Sequence, residues 1–294
     1  MISVHYSLSN DMKKWRFIFT GANGAFFNMA LDEALLLSCQ KGDSPPIVRF
    51  YLWNPLAISI GYSQSVEKTV DSKKCRDNHI SVVRRITGGR AVLHEDEITY
   101  TVCASSEYFF QLGENTSQTY QKLSWAWLES LRVLGIDAEW VKPSVTANPP
   151  SFTLLGSKPC FISSSRYEIT VNGKKLIGSA QRRFSCRSDL AGQDSFIQHG
   201  SILTGKGKYS LAEFLPEEIS VEMMKRSLEE KSANIEEILK RRIRMDEMIS
   251  ALKIGFNKVL DAEMDDSEIT KKELQNAFLL KEKKYESDGW NLFR

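Results

Sequence analysis

The chain has 294 residues, 42% of them hydrophobic and 26% charged, with a formal net charge of +2. This is ordinary for a soluble globular protein of one large domain or two smaller ones, and it gives no argument for general nucleic-acid binding. The longest apolar runs are too short to span a bilayer and Met1 to Arg16 lacks a signal-peptide core, so a cytoplasmic protein with no membrane or nucleic-acid partner is expected.

The elements follow in chain order. Phe27, Ala30, Leu31, Ala34, Leu35 and Cys39 form one apolar helical stripe, which predicts an amphipathic helix with Asp32 and Glu33 on its solvated side. "IVRFYLW" and "LAISIG", split by Asn54-Pro55, read as a strand, a tight turn and a second strand. Residues 79 to 85 and 98 to 103 read as two more strands. Between them lies "RRITGGRAVLHEDE", where Gly88 and Gly89 let the backbone approach a neighbour because neither carries a Cβ. That run is either a tight turn with solvated charges or a ligand cradle flanked by Arg84, Arg85, Arg90 and His94. Tyr120 to Leu134 carries a second helical stripe, closed by Gly135. Residues 142 to 164 are rich in Pro, Ser and Gly and predict a long loop that holds Cys160.

"YEITVNGKKLIGSAQRR" predicts a hairpin with a two-residue turn at Asn172-Gly173. That register opposes Ile169 to Leu176 and groups Glu168, Thr170, Lys175, Ile177 and Ser179 on one face. Two solvated turn lysines would also explain the stretch, and a slip by one residue would exchange the faces. Past residue 210 the chain is charged and helical, and its end, "KYESDGWNLFR", is aromatic enough to dock. Strands first and helices last predict an α+β fold, a mixed, mostly antiparallel sheet flanked by helices. The five cysteines, at 39, 75, 103, 160 and 186, lack metal-ligand spacing such as CxxC; free thiols and no metal site are expected.

Taken together, "NMALDEALL", "VRFYLWNPLAISIGYSQ", "RRITGGRAVLHEDEITYTV", "PCF", "GKKLIGSAQRR", "QHGSIL" and "KYESDGWNLFR" resemble the lipoate and biotin protein ligase superfamily. The similarity is greatest to its cysteine-dependent octanoyltransferases, which serve the glycine cleavage H protein. The ATP-dependent ligases of that superfamily generally carry a third glycine where Arg90 stands. The segment "FSCRSDLAGQDSF" is longer than the transferase pattern and introduces Cys186 as a rival thiol.

The resemblance implies a catalytic domain over residues 1–210 with a helical extension, 211–294, packed on it. It implies that octanoyl arrives as a thioester on acyl carrier protein and leaves as an amide on a lysine of a lipoyl-accepting protein, with no cofactor. Cys160 would be the nucleophile and Lys175 the cation that favours its thiolate and exchanges protons. Backbone amides at Gly178, Ser179 and Ala180 would share the developing oxyanion. Gly88 and Gly89 would let the acyl chain lie against backbone, between apolar residues such as Val92 and Ile177, and Arg84 and Arg85 would orient the strand end or meet an acidic partner. His94 would contact the carbonyl region or brace the turn; His199 has the same two readings. Lys73, Lys74, Arg76, Arg182 and Arg183 are candidates for a basic patch facing acidic partners. A monomer is expected. The rival readings are an ATP-dependent lipoate ligase, an amidotransferase between lipoyl domains and a non-enzymatic acyl-binding module.

Overall fold

The structure is a computed structural model that describes residues 13–141, 168–186, 192–216 and 220–293. In chain order its elements are β1 (Lys13–Asn23), α1 (Ala25–Gln40), β2 (Ile47–Trp53), β3 (Ala57–Ile60), α2 (Ser72–Asp77), β4 (Ser81–Arg84), β5 (Val92–His94), β6 (Glu97–Ser105), α3 (Phe109–Leu112), α4 (Thr116–Val133), β7 (Glu139–Val141), β8 (Glu168–Val171), β9 (Lys174–Phe184), β10 (Ser195–Leu203), α5 (Val221–Lys231), α6 (Ile235–Leu239), α7 (Met245–Leu260), β11 (Ala262–Asp266), α8 (Lys271–Leu280) and α9 (Asp288–Asn291). An eight-stranded sheet runs β11-β1-β2-β6-β10-β9-β8-β7, and a three-stranded sheet runs β4-β3-β5. In the large sheet β11, β1 and β2 are parallel and the later pairings are antiparallel. This is the mixed, mostly antiparallel α+β sheet that the sequence predicts.

Strand alternation sorts the large sheet into two faces. On one face Phe50, Tyr100, Phe196 and Ile202 pack with Trp127 of α4 and Phe256 of α7 in the main apolar core. On the other face Tyr51, Trp53, Cys103 and Ile197 pack with α1. The small sheet joins that second layer through Ala57 and Val83, and its far side closes a third core with Val70, Cys75 and Phe214. A narrow space is left between the two sheets, under the glycine turn.

Five of the described strands, β1, β5, β7, β10 and β11, lie where the sequence offers no strand reading. Of these, β1 pairs with β2 and β11. The last, β11, "AEMDD", lies within the stretch expected to be a helical extension. Its alternation is short and polar, and only its partner β1 makes it a strand. The expected solvated face of α1 is also overturned. Asp32 is buried, and Glu33 is half-buried and bonded to Lys284 Nζ at 2.7 Å and to the Tyr285 hydroxyl at 2.6 Å. The physical reason is tertiary: α8 and the π-helical turn Lys281–Tyr285 wrap the side of α1 that a helical wheel assigns to water. No described helix is long and apolar enough to cross a membrane.

Candidate active site

The glycine turn is a close contact between backbones. Gly89 has φ +90°, and a Cβ on Gly61, at the end of β3, would stand 2.0 Å from the Gly89 carbonyl oxygen. Side chains are therefore excluded on both sides of the contact. The turn closes one wall of a cavity. The other walls come from Met29 of α1, Tyr51 and Trp53 of β2, Val92 and His94 of β5, Thr99 of β6, Gly178 and Ala180 of β9, and His199 and Ser201 of β10. Gly200 makes room on the reverse side: a Cβ there would lie 2.1 Å from the Tyr100 ring. Tyr100 in turn bonds Ser179 Oγ at 2.6 Å, so the Ser179 side chain belongs to the core face and not to the cavity.

A continuous polar run lines the cavity beside the turn. Arg85 donates to Ser59 Oγ at 2.6 Å, and Ser59 meets His94 Nε2 at 2.5 Å. His94 Nδ1 meets Glu97 Oε1 at 2.6 Å, Thr99 donates to the same carboxylate, and Trp53 Nε1 donates to Thr99 Oγ1 at 2.7 Å. The Nδ1–H tautomer gives this run a consistent donor order. His94 also stacks on Trp53, with centroids 3.9 Å apart. Both ring nitrogens and one face of His94 are thus engaged within the protein, while it borders the cavity. Arg85 further holds the turn through the carbonyls of Gly88 and Arg90. Arg90 thus contributes its backbone to the turn, and its side chain is half-buried.

Below the cavity lies a charged network that sequence reasoning missed. Arg49 and Asp32 are fully buried and 2.6 Å apart. Arg49 also donates to Asn28 and Thr20, and the Tyr51 hydroxyl donates to Asp32 at 2.7 Å. Burial would raise the Asp32 pKa, but the nearby Arg49 and His199 and the hydrogen bond from Tyr51 together hold it below the usual carboxylate value. The Tyr51 hydroxyl is pushed well above its usual pKa by burial and by Asp32. His199 bonds Thr87 Oγ1 through Nδ1 at 3.0 Å, and its Nε2 lies 3.1 Å from Asp32 Oδ2, off the line of a good hydrogen bond. It therefore ties the turn to the network while bordering the cavity.

The hairpin departs from its predicted register in one instructive place. Val171 faces Lys174 and Thr170 faces Lys175, as expected, but Ile169 faces Ile177 and not Leu176. Leu176 is the extra residue of a β-bulge, and it packs in the same core as Ile177. Lys175 is thereby brought to the face of Gly178, Ala180 and His199, not to that of Ile177 and Ser179. It is buried, with its Nζ 2.7 Å from Glu168 Oε1. Among the described residues the pairing of β8 with β9 ends at Ile169 and Ile177, and Gly178 to Ala180 pair with β10.

Cys160 lies outside the described residues, as does the 142–164 segment expected to be a loop. Cys39, Cys75 and Cys103 are buried; burial pushes Cys39 up to about 12, Cys75 up to about 11 and Cys103 well above its usual value. Such thiols are protonated at neutral pH and make poor nucleophiles. Cys186 is half-buried, and its backbone N–H donates to Asp194.

Several arginines are committed inward. Arg84 is fully buried and donates to backbone carbonyls of the 61–64 loop and of the C-terminal segment, which removes it from reach of an acidic partner. Arg182 donates to the Ile86 carbonyl and stacks on Tyr62; Arg183 donates to Gly113 and Thr119 and stacks on Phe109. The expected basic patch thus loses these two members. Lys73 is exposed and bonded to Asp77 at 2.7 Å.

Two packed sheets and a close glycine turn thus enclose one cavity, with β9 along one wall. A family model described as the lipoyl protein ligase A/B catalytic domain matches residues 24–257, and the chain belongs to that family. It is similar to the protein named Octanoyltransferase LipM of Bacillus subtilis (strain 168), with 37% identity over 282 residues covering 95% of this chain and 98% of that protein. Among solved structures it is similar to a lipoate-protein ligase A bound with ATP, with TM-score 0.74 and 27% identity over 95% of this chain and 98% of that one. It is also similar to a bipartite lipoate protein ligase of Thermoplasma acidophilum studied with its E2 lipoyl domain, with TM-score 0.76 and 26% identity over 95% and 96%.

Proposed function

We propose that this chain is an acyltransferase of lipoate biosynthesis that moves octanoyl from octanoyl-acyl carrier protein, through a Cys160 thioester, to a lysine of a lipoyl-accepting protein. The relatives named octanoyltransferase support the acyl group and the reaction class. The Thermoplasma ligase, studied with its lipoyl domain, supports an acceptor of that kind. The chain would act as a monomer, and the H protein is the first acceptor to try.

The observation that carries the mechanism is the bulge at Leu176, which puts a buried cation, Lys175, on the cavity face. Cys160 Sγ attacks the octanoyl carbonyl and the carrier thiol leaves. The acceptor amine then attacks the Cys160 thioester, the amide forms and the Cys160 thiol is restored. Lys175 favours the thiolate, gives a proton to the leaving thiol and recovers one from the incoming amine, with Glu168 holding it in place. Among Gly178 to Ala180, the amides that point away from β10 would meet the developing oxyanion. The donor is already a thioester, so no ATP is consumed.

Intact mass after mixing with octanoyl-carrier protein, with ATP removed enzymatically, tests this. One octanoyl group should appear on the enzyme, at Cys160, and pass to the acceptor; Cys160→Ala should do neither, while Cys186→Ala keeps most activity. The ATP-bound ligase neighbour favours one rival, a ligase that makes an acyl-adenylate. Pyrophosphate release matching modification, or robust transfer by Cys160→Ala, would establish that rival.

A further inference from the structure

We propose that the C-terminal segment Tyr285–Phe293 is a working part of the active site, setting the glycine turn through Arg84. Residues near the end of the chain lie against the motif near residue 84, and the contact is made with buried polar groups. The Asn291 side chain accepts the Arg84 backbone N–H at 2.9 Å, and Trp290 Nε1 donates to the Arg84 carbonyl at 3.0 Å. Side chains of the tail therefore satisfy the backbone of β4, an edge strand of the small sheet.

The guanidinium of Arg84 joins two segments. Its Nε and Nη2 donate to the Trp290 and Asn291 carbonyls at 3.1 and 2.9 Å, while Nη1 donates to the Gly61, Tyr62 and Gln64 carbonyls at 3.1, 3.1 and 2.7 Å. Hydrogen bonds from an ionised donor are stronger than neutral ones, and a buried guanidinium depends on having them all. The 61–64 loop is in turn the back wall of the turn. Tyr62 N–H donates to the Thr87 carbonyl at 2.9 Å, and Gly61 lies against the Gly89 carbonyl, where not even a Cβ would fit. The path from tail to cavity thus runs through the Arg84 guanidinium to the 61–64 backbone, and from there by the Tyr62–Thr87 hydrogen bond and the Gly61–Gly89 contact to the turn. Arg84 and Asn291 touch no reacting atom on it; they are positioning residues.

The proposal rests on the octanoyl-transfer reading for its kinetic test, so a second measurement is chosen that does not. In the full-length chain, Asn291→Ala and Arg84→Lys should lower kcat at least about tenfold with KM for octanoyl-carrier protein within about threefold, because geometry and not encounter is disturbed. Both should remain folded at the assay temperature, and Asn291→Asp, which retains an oxygen to accept the Arg84 N–H, should recover part of the rate. Exposed Glu282→Ala is the control. Independently of activity, amide exchange over residues 86–91 should rise at least about tenfold in Asn291→Ala while β10 is unchanged.

Unchanged exchange in the turn would overturn the proposal, whatever the enzyme does. So would a kcat within twofold of the parent, a rise in KM alone, or an activity loss that only follows the unfolded fraction. If Asn291→Ala does not fold, Trp290→Phe decides: it loses the hydrogen bond to the Arg84 carbonyl and keeps a smaller aromatic ring against Tyr62, Tyr285 and Phe293, and the same faster exchange is expected. A parent enzyme without transfer activity, but with the exchange result intact, would refute the octanoyl reading and leave this one standing.

Discussion

Asp32→Ala is the perturbation with the largest predicted effect on folding. The carboxylate and Arg49 are each fully buried, 2.6 Å apart, and Tyr51 and His199 depend on the same group. Its removal leaves a guanidinium in the interior with only neutral partners, and breaking a buried pair from one side costs about 3–5 kcal/mol. With an unfolding entropy of about 2.1 cal/mol/K per residue, a chain of this length should lose about 5–8 °C in Tm. Thermal and urea unfolding read this directly. Asp32→Asn, which keeps one acceptor for Tyr51 or Arg49, should fall between the two.

The pH dependence has a definite sign. The folded pKa of Asp32 lies below its unfolded value, so its charge stabilises the fold above the unfolded carboxylate pKa of about 3.9. The stability gap between parent and Asp32→Asn should be constant from neutral pH down to about 4, then close as the pH falls through the folded pKa. A Tm loss under 2 °C, or a gap that opens on acidification, would mean that the network is not the charged pair described.

Lys175→Ala should lose about 10²-fold or more in transfer rate while folded, whereas exposed Lys174→Ala should stay near the parent; the reverse ranking in the same assay would refute the face assignment. Gly61→Ala should cost about 1–3 kcal/mol in urea unfolding and lower activity with it, because the added Cβ meets a carbonyl oxygen and not a movable side chain. Alkylation with iodoacetamide at pH 8, read by peptide mass, should spare Cys39, Cys75 and Cys103 in the native protein and label Cys160 and Cys186. Burial keeps the first three protonated, and labelling of Cys39 before unfolding would contradict that.

The residues differ in how far their surroundings could be read from the chain. The apolar stripe of α1, the turn at Asn172-Gly173 and the paired glycines at 88 and 89 are local signals, and each lands where its local physics places it. Asp32 and Glu33 could not be read that way. A helical wheel sees neighbours four residues off, whereas Lys284 and Tyr285, which cover Glu33, are some 250 positions away. Arg49 looked like one polar residue in an apolar strand; only the fold reveals its partner on α1. Gly61 was visible as the glycine closing "LAISIG", but not that a carbonyl would press against it. Lys175 shares its face with Thr170 and Glu168 as its hairpin predicts, but Ile177 and Ser179 were misassigned to that face because bulges leave no mark in hydrophobic alternation.

That bulge has a consequence for how this segment can change. Leu176 and Ile177 are neighbours in the chain and both face the core, so the lysine before them and the small residues after them share the cavity side although Lys175 and Gly178 stand three positions apart. Deleting Leu176 would leave a regular ladder with Lys175, Gly178 and Ala180 still on one face, and would remove one apolar side chain from the core of Tyr100 and Trp127. Flattening the bulge with Leu176 kept is the damaging change: Leu176 would become an ordinary ladder position, and Lys175 and Gly178 would part to opposite sides. This stretch therefore tolerates the loss of a residue better than the loss of its kink, which substitutions drawn from side-chain chemistry alone would not reveal.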